Sequence, residues 1–240
     1  MDERITLLPV GCVEEHGHLP RDTDTLIALA FCELVRKRMD ATVERPIEGG
    51  FCPTTSALEG TQVLRFEDVF REVLARVRRL IDEGRRYLVM VNIHAANDEV
   101  LRGAVGDVYI ERGFPLFYFN PYRAFADELN EICVFEKDNS CKECSLLLAS
   151  LEILGRPPIA EPTIDDRTSR DPLVQGLRRF GVVGFSYKLP HEHVGWRADA
   201  SVQAGHRYLD ETADRFVPVA DMFKEYVERE LGCREETGRS

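Results

Sequence analysis

Ile5-Thr6-Leu7-Leu8-Pro9-Val10 runs directly into Gly11-Cys12-Val13-Glu14-Glu15-His16-Gly17-His18-Leu19-Pro20-Arg21-Asp22-Thr23-Asp24, and this junction decides the fold. The first six residues form an apolar run of strand length. The segment after Asp24 repeats apolar residues at Leu26, Ile27, Ala30, Phe31, Leu34 and Val35, the spacing of an amphipathic helix that Thr23 or Asp24 can cap. Glu14, His16 and Asp24 therefore sit on a strand-to-helix connection, where open α/β sheets build their sites.

The alternation continues downstream. A strand is expected over Thr42 to Ile47, then a long Gly, Pro, Ser and Thr-rich loop from Glu48 to Thr61. Phe66 to Glu83 reads as a strongly amphipathic helix ended by Gly84, and Tyr87 to Val91 as a short buried strand. That strand delivers Asn92-Ile93-His94-Ala95-Ala96-Asn97 at its C-terminal end. A helix over Asp98 to Arg112 and a strand over Leu116 to Phe119 follow. Further helices are expected near Tyr122 to Asn130, Glu143 to Leu154 and Ala198 to Glu230, the last broken at Gly205 and near Pro218. Gly155 to Asp171 and Pro190 to Trp196 read as loops. This is the pattern of an α/β protein with a mostly parallel central sheet, a single domain over 1–240 whose last residues, 233–240, fray.

Composition narrows the function. Asp and Glu number 42 against 31 Lys and Arg, a net charge of -11, which argues against nucleic acid as a partner because phosphate binding needs clustered cations. No run approaches the about 18 apolar residues of a membrane span, and no secretory signal pattern opens the chain, so a cytoplasmic protein without a membrane partner is expected. Seven cysteines fit reduced thiols rather than a disulfide framework. Cys141 and Cys144, with Cys133 upstream, lack the second CxxC pair of a structural zinc site and read as core or helix-surface residues.

Glu14, His16, Asp24 and His94 together form a mixed carboxylate and imidazole set from two strand ends. Such a set suits zinc, manganese or iron(II) better than calcium. Two ions sharing a carboxylate would lie roughly 3.5–4 Å apart. A thiol-dependent hydrolase using Cys12 or Cys144 is a weaker alternative, because neither has a His partner by spacing.

The Gly11 to Asp24 motif resembles the signature of the creatininase (creatinine amidohydrolase) family, Gly-Ser-x-Glu-Gln-His-Gly-Pro-His-Leu-Pro followed by Thr-Asp, although Gly17-His18 is one residue shorter than Gly-Pro-His. Asn92 to Asn97 resembles that family's Asn-Gly-His-Gly-Gly-Asn, and Glu143-Cys144-Ser145-Leu146 its Glu-Thr-Ser-Leu helix. The resemblance spans Ile5 to Leu154 in motif order. It implies a three-layer α/β/α sandwich, often a homohexamer, with two divalent metal ions per subunit (Zn, Mn or Fe) hydrolysing non-peptide carbon–nitrogen bonds in a small molecule such as a cyclic amide or formamide. By matching position Glu14 binds one ion, His16 the other, Asp24 bridges them, and His94 is a further ligand.

Two positions depart from the family. Ala96 stands where creatininase itself has a glutamate, which argues against creatinine as substrate. Asp138 stands where a proton-moving histidine is common; beside divalent ions it would stay ionised and make a poor general acid. Asp138 can still accept a proton or bind metal and stays a catalytic candidate with His18 and His193, His191 beside His193 offering another imidazole to protonate the leaving nitrogen; Glu143 is a further candidate beside the metal-activated water. Substrates suggested by the family include the formamidopyrimidine nucleotide deformylated in archaeal flavin and deazaflavin synthesis, with Arg21 and Arg65 as phosphate partners. A non-catalytic metal-binding scaffold of the same fold is the alternative that Asp138 and Ala96 favour.

Overall fold

The structure, a computed structural model, describes residues 2–133, 139–160, 171–189, 193 and 195–237. Strands β1 (Asp2–Val10), β2 (Ala41–Val43), β3 (Arg85–Asn92) and β4 (Phe117–Phe119) make one parallel sheet in the order β2-β1-β3-β4. Its strands are apolar on both faces, as expected where helices cover a parallel sheet on both sides. Ile5, Leu7, Tyr87, Val89 and Val91 face one layer, built by helices α1 (Thr23–Arg36), α5 (Asn139–Ile153) and α7 (Val202–Thr237). Leu8, Val10, Leu88 and Met90 alternate to the other face and pack on α2 (Phe66–Asp82) and α3 (Asp98–Arg112). The architecture is the α/β/α sandwich expected from the motif resemblance.

Strand order places the site. From β1 the chain crosses through α1 to β2 on one side, then returns through α2 to β3 on the other side of β1. The carboxyl ends of β1 and β3 therefore flank a topological switch point, and they emit the loops bearing Glu14 and His94. A three-residue 3-10 turn, Ala95–Asn97, joins β3 to α3.

Several boundaries differ from the sequence reading. β2 is shorter than Thr42 to Ile47: it ends at Val43, and Ile47 rejoins the sheet as a lone parallel bridge to Val10. The cap of α1 is Asp22, without a side-chain cap hydrogen bond; Thr23 instead donates to the Pro20 carbonyl, and the Asp24 carboxylate accepts from Cys12. The helix expected near Tyr122 begins only at Ala126 and forms α4 (Ala126–Ile132). A short helix, α6 (Pro172–Arg178), capped by the Asp171 carboxylate, had no periodic signal of its own. Helix persists to Thr237, so 233–237 are not frayed, and 238–240 lie outside the described residues.

The largest correction concerns α7, which runs unbroken through both Gly205 and Pro218. Phe216, Ala220, Phe223 and Val227 bury one face of it, and that packing offsets the one backbone donor a proline removes. Gly205 is a contact rather than a break: a Cβ there would lie 2.0 Å from the Ser145 carbonyl oxygen and 3.0 Å from Ala149 Cβ on α5. The same Ser145 accepts from the Ser201 N–H through its hydroxyl at 2.9 Å, fixing where α7 starts. Replacing Gly205 by Ala must push α7 off α5, an overpacking cost of about 1–3 kcal/mol. The expected reading is a melting temperature lower by about 3–10 °C in differential scanning calorimetry. An unchanged value would contradict this close approach.

Candidate metal centre

Glu14, His16, Asp24, His94, Glu143 and His193 converge at the carboxyl ends of β1 and β3 and share the wall of one cavity of about 680 Å³. Local chemistry brings them there. Gly11 ends β1 against the first turn of α1, where a Cβ would sit 1.9 Å from Thr25 Oγ1; only glycine lets the helix approach close enough to aim Asp24 inward. Glu14 and His16 project from the extended segment that follows. Asn97 ties the loops together: its amide donates to the Gly11 carbonyl at 2.9 Å, and its side-chain oxygen accepts from Phe51 N at 2.9 Å.

Each imidazole is pinned by a main-chain oxygen. His16 Nδ1 lies 3.0 Å from the Glu14 carbonyl, His94 Nε2 lies 2.9 Å from the Phe51 carbonyl, and His193 Nδ1 lies 2.7 Å from the Glu15 carbonyl. A carbonyl only accepts, so each of these nitrogens carries a proton, and the tautomer follows from the geometry. The opposite nitrogens then all point at carboxylates. His94 Nδ1 is 2.9 Å from Asp24 and 3.1 Å from Glu14; His16 Nε2 is 3.2 Å from Glu143, 3.7 Å from Glu14 and 3.9 Å from Asp24. His193 Nε2 is 3.9 Å from Glu14. Pinning the far nitrogen of an imidazole is how proteins orient metal-ligating histidines.

A lone pair facing a carboxylate at such distances is repulsive unless a proton or a cation lies between them. Protons fill that role in the ion-free chain. His16 is pushed up to about 10, against the cost of its burial, by its hydrogen bond to Glu143 and by Asp24 and Glu14. Although burial alone would raise Glu14, His94 holds it below the ordinary carboxylate range, with help from His16 and His193. Burial lowers His193 to about 4, with Glu14 opposing and His16 adding to the fall, so its Nε2 is unprotonated near neutrality. Glu143 is raised, chiefly by burial, and its Oε1 faces His16 Nε2 at 3.2 Å. Three oriented imidazoles, the buried carboxylates of Glu14 and Asp24 and the largely buried one of Glu143 make a donor set that fits divalent cations. The ligand atoms fall into overlapping groups: Cys12, Glu14, Cys52 and His94; Glu14, His16 and His193; His16, Asp24 and Glu143.

The sequence reading named most of these residues. Glu14, His16, Asp24 and His94 meet, and Glu143 and His193 join them. His18 is exposed and does not line the cavity, so it stands apart from the cluster. Asp138 and His191 lie outside the described residues. Arg21 packs over Gly60 near Glu15, and Arg65 pairs with Glu67 in solvent; the arginines that line the cavity are Arg123 and Arg178. Cys133, Cys141 and Cys144 are buried and unbridged, in keeping with the core reading.

Other contributors had no motif to betray them. Thr55, in the loop after β2, donates to Glu14 Oε2 at 2.6 Å, leaving Oε1 toward the histidines. Cys12 donates to Asp24 Oδ2 at 3.0 Å, and Cys52 Sγ lies 3.8 Å from His94 Nε2. Lys142, buried beside Glu143, donates to the Tyr122 carbonyl and the Tyr208 hydroxyl, each at 2.8 Å, with its ammonium about 4 Å from both ring centroids. This clasp holds Tyr122 in the cavity wall. Only the position of Thr55 in a long Gly and Ser/Thr-rich loop hinted at such a role.

Comparison with known proteins agrees with the geometry. The family model described as Creatininase: Creatinine amidohydrolase matches residues 1–219. A mycofactocin precursor peptide peptidase of Mycobacterium ulcerans is 36% identical over 115 residues, 44% of this chain and 46% of that protein. A creatinine amidohydrolase of Pseudomonas putida is 32% identical over 106 residues, 39% of this chain and 38% of that protein. The matched region thus spans less than half the length of either relative. Among solved structures, a protein assigned as a creatinine amidohydrolase from Bacteroides fragilis superposes with a TM-score of 0.73 at 20% identity, over 95% of this chain and 91% of that one. A manganese creatininase gives 0.66 at 21% identity, over 94% of this chain and 91% of that one. These structural likenesses speak to the fold. With the family model covering nearly the whole length, the chain belongs to the creatininase family.

Proposed function

We propose that the chain is a hydrolase that opens a carbon–nitrogen bond of a small amide, cyclic amide or formamide, using two divalent cations. The observation that carries this reading is the set of three imidazoles pinned by main-chain carbonyls with their other nitrogens turned to buried carboxylates. Glu14 and His94 would hold one ion and His16 and Glu143 the other, with Asp24 Oδ2 facing both histidines and so placed to serve both. Such ions lower the pKa of a water to near neutrality and polarise a carbonyl oxygen.

The protein's own groups do the rest. Thr55 fixes the rotamer of Glu14 by occupying its second oxygen. His193, unprotonated and on the cavity wall, accepts a proton at Nε2 from the attacking water and returns it to the departing nitrogen. Tyr187, whose ring centroid lies 5.4 Å from that of His193, closes the adjacent wall and limits the water that reaches this nitrogen. The cavity suits a ligand of metabolite size.

The substrate is narrowed by what lines that cavity. Ala96 carries no carboxylate to hold creatinine, whereas Arg123 and Arg178 bring positive charge to the mouth. A formamide or amide bearing an acidic group, as in the formamidopyrimidine nucleotide class, fits this wall better. Relatives named a creatinine amidohydrolase and a precursor peptide peptidase support hydrolysis of an amide-type bond as the reaction class.

Three outcomes test the reading. Replacing Thr55 by Val should weaken zinc or manganese binding about 10–100-fold, measured by equilibrium dialysis, because it frees a ligand carboxylate from its orienting donor. His193→Gln should cut kcat about 10²–10⁴-fold in a hydrolysis screen over formamides, lactams and creatinine while metal content stays at the wild-type level. Bound metal without turnover on any member of the screen by the wild-type chain would instead favour a non-catalytic scaffold.

The third outcome is pH-dependent and concerns the chelator-treated protein. His16 is raised from 6.5 to about 10, so its contribution to stability is complete below pH 6.5 and is lost as pH rises toward 10. His193 is lowered to about 4, so its contribution is present above 6.5 and is lost as pH falls toward 4. Urea midpoints should therefore decline on both sides, and His16→Gln should flatten the alkaline limb. A flat alkaline limb in the wild type would refute the proton's role as stand-in for a cation.

A further inference from the structure

Two thiols stand beside the carboxylates and imidazoles without a part in the chemistry above. Cys12 lies just past the end of β1, two residues before Glu14, is wholly buried, and has its sulfur 3.0 Å from Asp24 Oδ2. Cys52 arrives from the loop after β2, is also buried, and has its sulfur 3.8 Å from His94 Nε2 and 3.6 Å from the Gly50 carbonyl. Neither is bridged. Their sulfurs, a Glu14 oxygen and a His94 nitrogen all lie within 4.8 Å of one another, close enough to be drawn onto a single ion. The second group, His16, Asp24 and Glu143, contains only nitrogen and oxygen.

The backbone is built to keep the thiols there. Gly50 passes so close to Cys12 that a Cβ on it would lie 2.4 Å from Cys12 Cβ and 2.7 Å from the Gly11 carbonyl oxygen. Phe51, between Gly50 and Cys52, is held at both polar ends: its N–H by Asn97 and its carbonyl by His94. Cys52 is thereby fixed beside the Nε2 edge of the imidazole whose Nδ1 faces Glu14 and Asp24. Thiols serving only as apolar filling would need no such arrangement around two ligand residues.

We propose that the two cation positions differ in kind: the ion held by Glu14 and His94 takes sulfur from Cys12 and Cys52, and the ion held by His16, Asp24 and Glu143 does not. The first position then selects a thiophilic ion such as zinc, cobalt(II) or iron(II) over manganese or magnesium, because thiolate ligands favour the softer ions. The second accepts harder ions. A thiol that joins an ion gives up its proton, which leaves to solvent. This inference rests on the two-cation reading above, and the following measurements separate the two.

The full chain loaded with zinc is first assayed for metal content and then studied by X-ray absorption at the zinc edge. Sulfur neighbours at about 2.3 Å, beside nitrogen and oxygen at about 2.0–2.1 Å, are expected. Two zincs per chain surrounded by nitrogen and oxygen alone would overturn the sulfur assignment and leave the two-cation reading intact; no bound zinc would overturn the reading itself. Cobalt(II) substitution gives a second readout, a near-ultraviolet sulfur-to-cobalt charge-transfer band. Cys12→Ser and Cys52→Ser should each weaken that band and loosen zinc by about ten-fold or more while manganese affinity moves far less. If both variants keep the band at full strength and bind zinc as tightly as the wild type, neither thiol is a ligand.

Discussion

Three carboxylates and three imidazoles cannot share a dry pocket unless positive charge lies among them. Glu14, Asp24 and the two histidines that face them are buried, and Glu143 is nearly so, so water does little to screen one group from another. Burying such a set is costly, and removing one partner leaves the others uncompensated. The cost is met by protons on His16 and His94 when no ion is bound. Divalent cations would meet it better, because each supplies two charges at the point where the lone pairs converge. The tendency to take up cations is thus a consequence of how the pocket folds.

That pocket depends in turn on main-chain groups more than on neighbouring side chains. The carbonyls of Glu14, Glu15 and Phe51 choose the tautomers, and loops generally cannot hold carbonyls so well unless they are themselves tied down. Asn97 and the short 3-10 turn provide the tie between the β1 and β3 ends. Gly11 and Gly205 work at longer range, the first by seating α1 against β1 and the second by seating α7 against α5, whose second turn bears Glu143. The sheet supplies the crevice, but these contacts set the ångström-scale positions on which ligand geometry depends.

The parts of this arrangement visible in the sequence were those carried by local pattern. Apolar periodicity marked α1, α2, β1 and β3 because each buries a whole face or a whole strand. Motif spacing marked Glu14, His16, Asp24 and His94 because two strand ends must meet at a switch point. What could not be read was long-range. Thr55 and Cys52 contribute from a loop with no periodicity, through contacts more than 40 residues away in sequence. Pro218 and Gly205 suggested breaks in α7 because propensity describes an isolated helix, whereas this helix is held by its packing. His18 shared the motif with His16 but fell on the outside of the turn at Gly17, whose φ of 62° reverses the chain's direction.

The cavity divides into a centre of charged side chains and a wall around it. Under the proposed function, groups that polarise an amide carbonyl are indifferent to what lies beyond it, so the cluster of Glu14, His16, Asp24 and His94 would constrain the bond and leave the rest of the substrate free. The wall around that cluster includes Ala96 on the 3-10 turn, Arg123 before α4, and Arg178 with Tyr187 from the segment around α6. Arg123, Arg178 and Tyr187 come from segments after β4, the edge strand, whereas Ala96 follows the central β3 directly. Arg123 is itself paired with Asp98, which also accepts from the Tyr118 hydroxyl, and the pair fixes this part of the cavity wall.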